Sequence, residues 1–579
     1  MFNSRGEFRP SSVLRVSVLV ALACATAFSA EPAKESTSNL PKVTAVLQLT
    51  HDGISKANLI AGDNDLFVTE SPASGRVVSK LSLRNSEQVV VPAGFADAQV
   101  MDISADHAKL LVSHQGTSGE GEFWAVPIKS GTPQRLGDIT GRYATWSRDN
   151  KHLAFVKGST IFVANGDGRD ARELYTANGS VFALHFSPDG KRLRFSVGST
   201  VQNTNEIWEI GIRGLHARTL LEGWQRASSA CCGNWTANGA YYIFQVTQTS
   251  PSNLTTLWAV ADHEQSGKAV PFQLTSGPMS FGNALPSKDE KKVWALGVRP
   301  TAEAVRYDPG QKTFIPLLTE VSATDLDYSQ DGKWVAYVSV PDGALWRSRA
   351  DGTEKLQLTS APERAALPRW SPSGDRIAYV SLQPEKPSQI VLVSPGGGDA
   401  QAIVPEDRGQ IDANWSSDGS RIMFGYYLRD PHGLNIAVVD LNSHKVEVLP
   451  GSEQLFSPRW SPNGRYIAAL STDFTKVMLF DYKAEKWSMW LSEPAGAVSY
   501  PAWSADSKYL YFDDLVSEEE SIRRIKVGDN KAERVFKLEG IDRYLGPFGL
   551  WSSRMADGSY MFVRDRSTQE VYQLTLELP

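Results

Sequence analysis

Along most of this chain apolar and polar residues alternate in short runs, each closed by Gly, Pro, Asn, Asp or Ser. Arg376-Ile377-Ala378-Tyr379-Val380 and Tyr466-Ile467-Ala468-Ala469-Leu470 are clear cases. Alternation with a period of two, bounded by turn residues, predicts strands, and no stretch carries the spacing of an amphipathic helix. The runs follow a recurring phrase: Trp370-Ser371-Pro372-Ser373-Gly374 precedes the first and Trp460-Ser461-Pro462-Asn463-Gly464 the second. Weaker copies place anchors at Ile60, Ile103, Trp146, Phe186, Trp235, Pro286, Tyr328, Trp370, Trp415, Trp460, Trp503 and Trp551, 40 to 51 residues apart. That period suits one four-stranded sheet per repeat. Small sheets cannot bury their faces alone and must stack. The expectation is an all-β chain of about twelve four-stranded blades.

Within one repeat the parse is specific. Ala366 to Trp370 is the inner strand, Arg376 to Ser381 the second, Gln389 to Val393 the third and Ala402 to Val404 the outermost. In the turn, Pro presets φ, Asp or Asn bonds nearby backbone, and Gly takes the positive-φ position. The anchor aromatic belongs between neighbouring blades. A single ring of twelve blades would leave a very wide channel, so two six-bladed rings are expected, over 41–322 and 323–579. Lys42 to Leu49 reads as a stray strand ahead of the first repeat, and the last repeat lacks an outer strand. Pairing the two would close a ring and remove an exposed edge. The first ring would then be discontinuous, with the second inserted into it. A simple split near Val321 is the plainer alternative.

Composition adds the compartment. At 579 residues the chain exceeds one ordinary core. A hydrophobic share of 41% with 16 Trp argues for packed domains rather than disorder. The net charge of −6 and the lack of a Lys/Arg run argue against nucleic acid. Arg5, Arg9 and Arg15 precede an apolar run from Val16 to Ala27, then small residues and Glu31-Pro32. Basic, apolar, cleavable is the order of a secretory signal. It predicts a signal peptide over 1–29, a linker over 30–40, and a periplasmic or secreted protein with no integral span after cleavage; an uncleaved anchor is the alternative. Ala21-Leu22-Ala23-Cys24 lacks the large aliphatic residue of a lipobox. Beyond the signal, Cys231 and Cys232 have only each other as intramolecular partners. They read either as a vicinal disulfide or as two small buried thiols.

The Trp-Ser-Pro-Asp-Gly-Lys-x-Ile-Ala-Phe pattern resembles the TolB-type, WD40-like propeller repeat, also used in the propellers of prolyl oligopeptidase-like peptidases. Cys231-Cys232-Gly233-Asn234-Trp235-Thr236, Leu345-Trp346-Arg347-Ser348-Arg349, Leu455-Phe456-Ser457-Pro458-Arg459-Trp460-Ser461-Pro462 and Gln569-Glu570-Val571-Tyr572 extend the likeness. They resemble the propeller half of acidobacterial proteins that join a winged-helix DNA-binding domain to a propeller. The likeness covers 41 to 579. It implies a binding scaffold with an envelope protein or peptide as partner. The stretch before residue 41 is too short for a winged helix, which speaks against a transcriptional role.

Chemistry is sparse. There is no Gly-x-Ser-x-Gly of an α/β-hydrolase, no P-loop, and no metal-ligand spacing among the nine histidines. Asn165-Gly166-Asp167-Gly168 and Asp351-Gly352 read as hairpin turns rather than calcium loops. No cofactor and no catalytic residue is expected. Polar residues on inner strands, where packing favours apolar ones, are the ligand or channel candidates: His185, Asn234, Asp325, Asp327, Arg369, Asp412, Asn414 and Arg459. The leading expectation is a non-catalytic propeller binding a protein or peptide. A channel-sited lyase, lactonase or hydrolase is the alternative, and a sensory domain the third.

Overall fold

The computed structural model describes residues 42–577, apart from 73, 116–119, 200–203, 222–223, 225–227, 249–253, 263–269, 385, 406–407, 428–432, 494–497, 516–519 and 556. The expected signal and linker lie outside the described residues. No helix among the described residues is long and apolar enough to cross a membrane. The described residues form twelve four-stranded antiparallel sheets and one two-stranded ribbon.

The repeat phrase explains each sheet locally. At Trp415, the Ser416 hydroxyl donates to Asp418 Oδ1 at 2.6 Å and accepts from the Arg421 amide at 2.9 Å. Asp418 Oδ1 also accepts the Ser420 amide at 3.0 Å, and these donors hold its carboxyl down to about 2. The turn between first and second strands therefore closes with its polar groups satisfied. The same arrangement recurs at Ser147 with Asp149, Ser329 with Asp331 and Ser504 with Asp506.

The described residues sort into two compact units, 42–299 with 567–577, and 300–566. In the first, the inner strands are Lys56–Ala61, Ala98–Ile103, Ala144–Trp146, Ser180–Phe186, Ser228–Trp235 and Ser280–Pro286. Each touches the next, and the sixth touches the first, which closes the ring. In the second unit Ala323–Tyr328, Arg364–Trp370, Gln410–Trp415, Leu455–Trp460, Val498–Trp503 and Ser552–Arg554 close a ring the same way. Each ring is a six-bladed β-propeller.

The boundary expected at 322/323 is corrected by the sheets. The Pro286 repeat divides: Ser280–Pro286 and Lys292–Arg299 stay in the first ring, while Ala302–Asp308 and Thr313–Pro316 join the second. There they pair with Tyr560–Asp565 of the last repeat. The last repeat divides in turn. Its strand Thr568–Glu577 pairs with Lys292–Arg299 on one side and with Lys42–Gln48 on the other. The chain therefore passes between the units twice, near residues 300 and 567. The physical reason is edge satisfaction: each ring completes its closing sheet by pairing strands from the two ends of its own part of the chain.

Cores lie between adjacent blades. One joins Ile60, Phe67 and Val78 of the first blade to Val100, Leu110 and Val112 of the second. Another joins Tyr511 and Ile522 to Tyr560 and Phe562. Fully buried rings such as Phe67, Phe512 and Phe562 each contribute about 2–3 kcal/mol of transfer free energy.

Candidate functional site

Every long inner strand carries the same irregularity. Pairing with its second strand slips between Thr324 and Asp327, Ala366 and Arg369, Ile411 and Asn414, Phe456 and Arg459, and Ser499 and Ala502. The third residue before the anchor sits at positive φ: Asp325 (51°), Leu367 (47°), Asp412 (52°), Ser457 (50°) and Tyr500 (46°). This is a β-bulge, which bends the strand and re-aims side chains. A left-handed non-glycine residue costs on the order of 1 kcal/mol, so the bulge persists because contacts between blades offset it.

Those contacts occupy most of the candidates. The residue just before the anchor reaches the next blade: Asp327 Oδ2 accepts the Trp370 amide at 2.7 Å, and Asn414 Oδ1 accepts the Trp460 amide at 2.8 Å. In the first ring Asp102 Oδ2 does the same for Trp146 at 2.8 Å, and Asn234 Nδ2 donates to the Ala284 carbonyl at 3.0 Å. Asp325 Oδ2 accepts the Leu367 amide at 3.1 Å.

A charged cluster then forms at the centre of the 300–566 ring. Arg459 Nη2 lies 3.0 Å from Asp412 Oδ2, which also accepts the Ser457 hydroxyl at 2.6 Å. Arg369 Nη2 stands 3.8 Å from Asp412 Oδ1. Arg369 and Arg459 each donate to their preceding proline carbonyl, at 3.0 and 2.9 Å. Tyr500 donates to the Phe548 carbonyl at 2.7 Å and feels the charges of Asp325 and Asp412. These three residues stand on the inner strands of alternate blades, and inner strands line a propeller's central channel. Burial raises the Asp327 carboxyl to about 6, against the pull of Arg369 and Arg459. Asp325 is also raised by burial. At Asp412 burial opposes, but the two guanidinium groups prevail and hold the carboxyl below its usual range.

One atom of this cluster is under-used. Asp412 is 7% exposed, and its Oδ1 has no hydrogen-bond partner among the described residues. Opposite it, Arg369 has one carbonyl contact and the long approach to that same oxygen.

The remaining candidates lie in the other unit. His185 is half-buried, and burial alone pushes its imidazole down to about 4. Cys231 and Cys232 are joined as a vicinal disulfide. Cys232 occupies the bulge position at φ 58°, and its amide donates to Ser196 Oγ at 3.1 Å. Asn165–Gly168 forms a hairpin turn, with the Gly168 amide on the Asn165 carbonyl at 2.8 Å. Among the described residues no group of three His, Cys, Asp or Glu side chains is placed to hold a metal ion. Sequence reading missed Asp102, Ser457 and Tyr500. Aligning the columns one and three residues before each anchor would have found all three.

No family model matches the chain. An uncharacterized protein of Agrobacterium fabrum is 24% identical over 287 residues, 41% of this chain and 96% of that protein. The uncharacterized peptidase YuxL of Bacillus subtilis is 24% identical over 207 residues, and dipeptidyl-peptidase 5 of Porphyromonas endodontalis 29% over 124. The chain spans only 30% and 18% of the length of those two peptidases, with 34% and 20% of its own residues. Among solved structures, a protein assigned as TolB from Agrobacterium tumefaciens is 17% identical at a TM-score of 0.38, covering 46% of this chain and 98% of that one. An oligogalacturonate lyase in complex with manganese is 13% identical at 0.29, covering 66% and 96%. The fold reading rests on the sheets and the repeat phrase themselves. Those sheets make an all-β fold of two six-bladed propellers.

Proposed function

We propose that this protein is a secreted or periplasmic propeller that binds a protein or peptide partner at the axis of its 300–566 ring. The supporting observation is the buried, unpaired Asp412 Oδ1 there, with the Arg369 guanidinium standing 3.8 Å from it. A peptide amide carries the matching chemistry, an N–H for Asp412 Oδ1 and a carbonyl for Arg369. Pre-formed polar groups on a rigid ring favour binding, because little ordering is needed. The compartment follows from the basic-apolar-small order of the first thirty residues. The partner class follows from the resemblance to TolB and is carried by fold analogy.

The test is affinity capture from an envelope extract with the mature protein as bait. A partner recovered by the native chain and lost with Arg369→Ala supports the reading. Recovery of nothing, together with turnover of a glycan or peptide library by the purified protein, overturns it.

A channel-sited hydrolase or lyase is the second reading. It is favoured by Asp327 and Asp412, whose carboxyls are pushed apart beside the same arginine. Against it stands Asp102. With the same bond to the next blade, its carboxyl is also raised to about 6 by burial. The raised value is thus a property of the repeat position, and at Asn414 an uncharged side chain makes the same link.

A further inference from the structure

A second site lies in the 300–566 ring, where the Trp503 blade packs on the last one. Arg554 and Tyr560 are directly opposed in the antiparallel register of Ser552–Arg554 and Tyr560–Asp565, so they share one face of that sheet. Tyr560 is 5% exposed. Its hydroxyl and the Nε of Arg554 are both buried with no hydrogen-bond partner among the described residues. An arginine Nε can only donate. The Arg554 guanidinium lies 4.6 Å from the centre of the Tyr511 ring, whose own centre is 6.0 Å from that of Tyr560. Gly558 leaves it room, since a Cβ there would meet Nη2 at 2.7 Å.

The facing blade is just as rich in donors. Tyr511, Arg524 and Glu533 form a row across its strands. Arg524 Nη1 donates to the Tyr511 hydroxyl at 3.3 Å, and its Nε to Glu533 at 2.6 Å. Arg306 stands 3.9 Å from Asp557, whose Oδ1 is taken up by the amide and hydroxyl of Ser559. Three guanidinium groups thus meet the carboxylates of Glu533 and Asp557, Asp557 being shared between Arg306 and Arg554, while the Asp513 carboxylate that faces Tyr560 is paired with Arg543. Buried donors without acceptors are rare in native proteins, and an anionic oxygen satisfies a guanidinium and a phenol more strongly than a neutral acceptor does.

We propose that Arg554 and Tyr560, backed by Arg524 and Tyr511, bind a small oxyanion. Inorganic phosphate and the carboxylate of an organic ligand share the required chemistry. The experiment is calorimetric titration and thermal unfolding of the full-length chain with sodium phosphate, sodium acetate and sodium chloride at equal ionic strength. Phosphate or acetate should bind saturably and raise the unfolding midpoint above the chloride control. Response to phosphate alone identifies a free oxyanion, and response to acetate alone a ligand carboxylate. Tyr560→Phe should weaken binding about tenfold and Arg554→Gln further. Equal response to chloride, or affinity unchanged by Tyr560→Phe, overturns the proposal and leaves buried water as the acceptor. Tyr560→Phe decides even if the arginine variant fails to fold, because removing an unpartnered hydroxyl leaves the packing in place.

Discussion

Asp327 shows how one buried side chain sets a pH dependence. Its carboxyl is raised to about 6 by burial from an ordinary value of 3.8. The folded state therefore binds the proton more tightly than the unfolded chain does. The resulting stability is fully present below about pH 4 and is lost as pH rises through 6, at about 1.4 kcal/mol per pH unit. Asp327→Asn keeps an acceptor for the Trp370 amide, as Asn414 does natively. Denaturant titrations should show the variant matching the native chain at pH 4 and exceeding it by roughly 3 kcal/mol above pH 6. A constant difference across that range would mean the carboxyl is not raised. His185 acts with the opposite sign. Its depressed value gives stability that is present above pH 6.5 and lost as pH falls through about 4. Asp412 is costly to remove. Asp412→Ala strands the buried Arg459 and the Ser457 hydroxyl and should destabilise the 300–566 ring by roughly 3–5 kcal/mol, read as a lower denaturation midpoint.

At the scale of the element, the bulge and the turn act differently on function. The turn after each anchor is local chemistry, so Ser416→Ala should cost about 1 kcal/mol, measurable by chemical denaturation. Its Ser-x-x-Gly phrase is legible in the amino-acid sequence alone. The bulge is not, because its positive-φ residue varies freely: Asp325, Leu367, Ser457 and Tyr500 share no side-chain chemistry. What they share is a position relative to the next blade, which only packing reveals. The vicinal disulfide belongs to this scale too. Cys231 and Cys232 are neighbours in sequence, so the bond closes almost no chain and restricts the unfolded state little. Cys231→Ser should shift the thermal midpoint much less than the roughly 2–5 kcal/mol equivalent of a structural bridge. A collapse on mild reduction would show that the bulge in Ser228–Trp235 depends on it.

At the scale of the molecule the two divided repeats make a testable asymmetry. All six sheets of the 300–566 unit lie within one continuous stretch. The other unit needs Thr568–Glu577 as the third strand of its closing sheet. A fragment of 300–566 should therefore fold alone with a cooperative transition, whereas 42–299 should not until a peptide spanning 567–579 is added. Far-ultraviolet circular dichroism with thermal melts on the two fragments checks this. Equal behaviour of the fragments would contradict the strand assignment.

The sequence by itself determined the strands, their grouping in fours, the number of repeats and the chemistry of each turn. These depend on contacts within about 50 residues, and short-range alternation and turn preferences specify them directly. It also marked Arg369, Asp412 and Arg459 as polar intruders on inner strands. Only the tertiary structure decided that these three meet at one axis. The sequence offers the pairing of the stray N-terminal strand with the last repeat as one of two arrangements; the tertiary structure selects it and divides the Pro286 and Trp551 repeats between the rings. Both outcomes depend on pairing between residues far apart in the chain, such as Lys42 with Glu577. Any edge strand offers the same unpaired backbone groups, so local sequence cannot name its partner, and only the closing of each ring selects it.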